Sequence, residues 1–221
     1  MGFFRKKQVG DAAVAEKFDG PLAATITRTD VIAETARPFT AAELAPLVRK
    51  SAAAWGDDWR LYLIIASKIG RDGFAPDWQF HVLYPALRAE GVWSLGASAD
   101  GTESTLSMKL HPVPEPGTTE FLMAQLSDQL ARDQTAAWDA RVERILSLPS
   151  RFADSPDVIE AIEHIHPAVF STGPIRVKAR TLPNGDAVWE WSGNDLIHVA
   201  FEDPEHGEAQ AIDSAGFGAA R

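Results

Sequence analysis

The stretch 174–202, PIRVKARTLPNGDAVWEWSGNDLIHVAFE, reads as three strands in a row. Ile175, Val177 and Ala179 alternate with Arg176, Lys178 and Arg180, which is the two-residue period of a half-buried strand. After the turn, Trp189 and Trp191 alternate with Val188 and Glu190. The loop decides which face carries the indoles. A two-residue type I′ turn at Asn184-Gly185 puts Trp189 opposite Arg180 and Trp191 opposite Lys178, on an open cation–π face. A three-residue loop, Pro183-Asn184-Gly185, shifts the register by one and exchanges the faces. Trp189 then meets Ala179, Trp191 meets Val177, and Glu190 meets Lys178.

The residues favour the three-residue loop. Pro183 has its φ already set for the first corner of a type I turn, and Gly185 suits the left-handed position after it. This register predicts an apolar face with both indoles in the core and an opposite face bearing an acid–base pair. Burying two indoles outweighs one surface pair, worth about 0.2–1 kcal/mol.

A weaker copy of this layout lies earlier in the chain. Thr40-Ala41-Ala42-Glu43 matches a capping box and opens a helix. RLYLIIASKI (60–69) is apolar at nearly every position, the pattern of a strand covered on both faces. An Arg71-Asp72-Gly73 turn leads to Trp78-Gln79-Phe80, and further strands flank Asp100-Gly101. Pro112, Pro114 and Pro116 make a stiff link. Beyond it, Leu122, Leu126, Leu130, Trp138, Val142 and Ile145 share one stripe and predict a long helix. Ser155-Pro156 starts another helix. The expected fold is therefore α+β. It comprises two related units, each a helix followed by an antiparallel three- or four-stranded meander, joined by a long helix. The expected boundaries are an N-terminal extension (1–38), a first module (39–112), the connecting helix (118–148), a second module (154–203) and a mobile tail (204–221). Within the extension, Ala12 to Phe18 and a start at Thr29-Asp30 predict short helices.

Composition narrows the classes. The 221 residues are 45% hydrophobic and 24% charged, as in globular chains. The net charge of −10 argues against a nucleic-acid partner, which a basic stripe would mark. The chain has no cysteine, hence no disulfide or thiolate chemistry. The opening MGFFRKKQVG lacks the apolar run of a secretory signal, and no stretch has the length of a membrane span, so a cytoplasmic protein is expected.

The run Ala53-Ala54-Trp55-Gly56-Asp57-Asp58-Trp59-Arg60-Leu61, with Asp72-Gly73 and Trp78-Gln79-Phe80, resembles the small PepSY-like modules. In those, a helix precedes a strand, a glycine turn and an aromatic strand. The resemblance implies tandem noncatalytic binding or inhibitory modules and assigns no functional residue.

Glu163, His164 and His166 form the densest ligand-like cluster. Residues two apart on a helix do not share a face, so no metal is expected there. His81 and His198 alternate with apolar residues and fall on outer strand faces, with no partner apparent in the sequence. Asp57, Asp58, Asp72 and Asp77 sit where turns favour aspartate. Phosphate loops and nucleophile elbows are absent, so no cofactor is expected. The seven tryptophans are the unusual compositional feature. Core packing explains them, and an aromatic groove is the alternative. The candidate binding surface is Trp78, Phe80, Trp189, Trp191, Lys178 and Arg180. The expected function is a noncatalytic binding protein, with a protein, a peptide or a second copy of the chain as candidate partner. A small-ligand protein or enzyme with a pocket between helix and sheet is one alternative. An inhibitor- or antitoxin-like protein against a basic target is the other.

Overall fold

The computed structural model describes residues 24–113, 138–193, 195–202 and 207–211. The expected helix over Ala12–Phe18, most of the expected connecting helix, and the last ten residues lie outside them. Nine strands form one continuous antiparallel sheet. They are β1 (Ile26–Ala33), β2 (Arg60–Ile69), β3 (Gln79–Tyr84), β4 (Ala89–Ala97), β5 (Ser104–Pro112), β6 (Ile175–Thr181), β7 (Ala187–Ser192), β8 (Asp195–Ala200) and β9 (Gly207–Ala211). Across the sheet the order is β1-β5-β4-β3-β2-β6-β7-β8-β9. Three short helices accompany it among the described residues: α1 (Ala41–Ala53), α2 (Trp138–Arg144) and α3 (Ser155–Ile165).

This overturns the expectation of two helix-plus-meander units joined by a long helix. β2 and β6 pair edge to edge, with Ile64 opposite Ala179 and Ala66 opposite Val177, so the hydrogen-bonded ladder does not stop between the expected modules. The physical reason is that side-chain alternation reports the faces of a strand. Its edges are backbone N–H and C=O groups that every sequence carries. The connecting helix is reduced, among the described residues, to the seven residues of α2. Two further expectations change. Thr29-Asp30 lies inside β1, which pairs with β5, so part of the extension belongs to the sheet. Residues 207–211 pair with β8 as β9 and are not a free tail.

The β6–β7 hairpin takes the three-residue register. Ala179 faces Trp189, Lys178 faces Glu190, and Val177 faces Trp191. Gly185 has φ 98° and donates its N–H to Leu182 O at 3.0 Å, closing the turn. Trp189 therefore enters the core with no exposed surface.

That core is the larger of two buried clusters among the described residues and lies between one sheet face and helices α1 and α3. Trp78 of the β2–β3 loop and Trp189 of β7 meet edge to face, 6.2 Å between ring centres. Burying each such side chain contributes about 1.5–3 kcal/mol or more. The helix starts are tied together. Thr40 and Glu43 form both halves of the capping box on α1. Ser155 Oγ accepts the Ala41 N–H at 3.2 Å, and Asp154 Oδ1 accepts the Ala42 N–H at 3.0 Å. Asp154 also caps α3, accepting the Ser155 N–H at 2.7 Å. The first three backbone donors of α1 are thus met, two of them by the start of α3. With the core on this face, the other face of the sheet is left to carry polar chemistry.

Candidate functional site: a polar sheet face and its cleft

Strand alternation places Glu90 of β4 and Glu190 of β7 on the face away from the helical layer. Glu90 faces Leu83 of β3, and Glu190 faces Lys178 of β6 and His198 of β8. Each glutamate is the centre of a cluster. Glu190 is 3% exposed. It receives Lys178 Nζ at 2.5 Å, Arg180 Nη2 at 2.7 Å and the Ser192 hydroxyl at 3.2 Å. His198 Nε2 lies 3.4 Å away and makes no hydrogen bond among the described residues. Glu90 receives Arg141 Nη1 at 2.8 Å and the Tyr62 hydroxyl, and His81 Nδ1 lies 3.7 Å away.

Tyr62 reaches this cluster through a β-bulge. The β2–β3 register slips between Leu61 and Leu63. Leu61 stays in the main core, while Tyr62 packs with Leu83, Val113 and Trp138 on the other side. A bulge inserts one residue, so two successive side chains, Tyr62 and Leu63, are available to the polar face. Helix α2 is held over this face. Arg60 donates to the carbonyls of Val142 and Ile145 at 2.6 and 3.1 Å, where a cation also suits the helix dipole. Arg141 Nη2 donates to the Tyr62 hydroxyl at 2.9 Å.

The electrostatics of the two centres are alike. Burial alone would raise both carboxyls. At Glu90 the His81 ring and the Arg141 guanidinium outweigh it and hold the group at about 2. At Glu190 the hydrogen bonds from Lys178 and Arg180 do the same, again to about 2. Burial and the Glu90 charge push the Tyr62 phenol up. Burial works against the charge of Arg141, but the Glu90 carboxylate prevails and holds the guanidinium more firmly protonated. Carboxylates held this low are weak bases. General acid–base work near neutrality needs groups poised much closer to the operating pH.

Between the two centres lies a cleft of about 620 Å³. Tyr62 and Arg141 border it from the Glu90 side, and Arg180 from the Glu190 side. Leu63, which pairs with His81 on one edge and Arg180 on the other, lies between them. The end of α2 adds Arg144, Ile145 and Leu146, and the β6–β7 turn adds Leu182.

The six residues of the expected binding surface do not come together as one. Trp78, Phe80 and Trp189 are fully buried and Trp191 is 8% exposed, all in the core on the opposite side of the sheet from the glutamates. Only Lys178 and Arg180 reach the polar face, and Arg180 alone of the six lines the cleft. The helix-end cluster also disperses. Glu163 pairs with Arg71 at 2.9 Å, His166 packs edge to face on Trp191 at 5.2 Å, and His164 is exposed. No three His, Cys, Asp or Glu side chains among the described residues form a metal-binding group. Asp72 accepts the Phe74 N–H within its turn, and Asp77 accepts the Ser67 and Lys68 N–H groups of β2. His81 and His198, expected to be without partners, each lie beside one of the glutamates.

Sequence reasoning missed Glu90, Tyr62, Arg141 and the cleft. One signal was present: glutamate is depleted in strands, yet both centres lie within strands, Glu90 near the start of β4 in AEGVW and Glu190 inside β7 in VWEWS. No family model, curated protein or solved structure matches the chain. No helix among the described residues is long and apolar enough to cross a membrane.

Proposed function

We propose that the protein is a noncatalytic binding protein and that the cleft between α2 and the β2–β6 seam is its binding site. The carrying observation is the cleft itself, about 620 Å³ with apolar walls and three arginines. That volume falls within the roughly 300–1,000 Å³ of ordinary small-molecule sites. The nearby titratable groups favour binding over chemistry. Both glutamates are already saturated by cations, and the two strand histidines belong to different glutamates instead of converging on one.

The test is a ligand-observed NMR screen of a chemically varied fragment set, run on wild type, Leu146→Trp and Leu182→Trp. Fragments should bind wild type and lose binding in both variants, which fill the cleft from opposite sides. Hits that bind the variants as well as wild type would place binding elsewhere. Conversion of any fragment to product would replace the reading with an enzyme.

A further inference from the structure

The charge of the cleft runs against the charge of the chain. The protein carries a net charge of −10, yet three arginines and one glutamate line this cavity. We infer that the cleft takes a small amphipathic anion, a carboxylate, sulfonate or phosphate carried on an apolar body and free in solution. This rests on the cleft being the binding site and names the class of its ligand.

Two of the arginines are fixed in place. Arg141 is held by Glu90 and Tyr62, and Arg180 by Glu190. Glu190 faces both Lys178 and Arg180, so its cluster keeps a surplus positive charge after pairing. Among the described residues the third, Arg144, bonds to the Ala140 carbonyl of its own helix and has no acid partner. Arg60, with no acid partner among the described residues, adds another cation where it caps α2, beside the cleft residue Ile145. A guanidinium with free N–H edges matches the oxygens of a carboxylate or phosphate, and two of the three here need no rearrangement.

The rest of the lining suits a hydrocarbon. Leu63, Ile145, Leu146 and Leu182 supply the walls, and Leu146 stands 50% exposed. Thr181 borders the same cavity, and its Oγ1 is buried without a hydrogen-bond partner among the described residues. A bare anion would leave the leucines wet, and a neutral apolar ligand would strip water from the guanidinium edges without return.

Calorimetric titration of the full chain with decanoate, decanol, decyltrimethylammonium and inorganic phosphate, each below its micellar range, tests the class. Decanoate should bind one per chain. Decanol and phosphate should bind at least about tenfold more weakly, the weight of one charge-assisted hydrogen bond or more. The cationic amphiphile should not bind. Arg144→Glu should abolish decanoate binding while the free chain stays folded, its thermal midpoint lowered by only a few degrees, roughly what loss of the helix-end charge costs. Equal binding of decanol and decanoate, both blocked by Leu182→Trp, would keep the cleft as a site and overturn the anion. Phosphate binding as tightly as decanoate would overturn the apolar body. Binding only to phosphatidylglycerol vesicles, lost in Arg144→Glu, would assign the arginines to a membrane surface and overturn the free ligand. Failure of every fragment and every probe would remove the cleft reading itself.

Discussion

Glu190 shows how much one side chain sets on this face. It is an acid in the middle of a strand, with tryptophans on either side of it in sequence and two cations above it. Its folded value of about 2, like that of Glu90, lies below the usual glutamate value near 4.5. A group depressed in the folded state adds stability that is complete above its unfolded value. That stability is lost as pH falls through the folded value. Urea unfolding free energies should therefore hold steady above about pH 5 and fall between about pH 4.5 and 2. Glu190→Gln should shrink that acid limb, and an unchanged limb would show that Glu190 is not its source. At neutral pH the same variant should cost roughly 2–3 kcal/mol. The figure sits below that of a wholly buried pair because Lys178 and Arg180, each about a third exposed, can turn towards water. The alternation of strand residues made the Lys178–Glu190 pair readable in the sequence. The partnership of Glu90 with Tyr62 and Arg141 was not readable. It joins residues from three elements and depends on a bulge that no local pattern marks.

At the level of elements, local chemistry was the legible part. The capping box at Thr40 and the Pro183-Asn184-Gly185 turn both form from the residues that announce them. Two glycines divide the cost of a left-handed backbone from the cost of crowding. Gly185 has φ 98° with nothing within 4 Å of where a Cβ would sit. Gly185→Ala should cost about 1 kcal/mol, the conformational term alone. Gly73 has φ 78°, and a Cβ there would lie 2.4 Å from Pro156 at the start of α3. Gly73→Ala should therefore cost several times more, since it must push α3 off the β2–β3 turn. Chemical denaturation of the two variants side by side checks the ranking, and equal costs would mean that α3 yields easily. The sequence marks Gly73 only as a turn residue, because the helix it touches lies far along the chain.

For the whole molecule, the seam between β2 and β6 matters most. Side-chain patterns predicted the strands on either side of it and were silent about the edge they share. The apolar density of RLYLIIASKI reported cover on the faces of β2, where Leu61, Ile64 and Ala66 are fully buried, and nothing about its edges. Trp78 and Trp189 meet within the main core, so the two stretches that side-chain pattern alone separates should unfold together. Urea transitions followed by tryptophan fluorescence and by far-ultraviolet circular dichroism should coincide. A double-mutant cycle of Trp78→Phe and Trp189→Phe should give a coupling of about 0.5–1.5 kcal/mol. Two separated transitions would sink the shared-core view. The seam also sets a timetable for a chain made from one end. β2 is synthesised by residue 69, but its partner edge begins at residue 175. At ribosomal rates of about 5–20 residues per second, that edge stays bare for roughly 5–20 s. The Ala41 and Ala42 N–H groups wait slightly longer still for Ser155 and Asp154. During that interval an apolar strand edge is open to any other strand in the cell. The pace of translation between these two strands is therefore itself a determinant of yield.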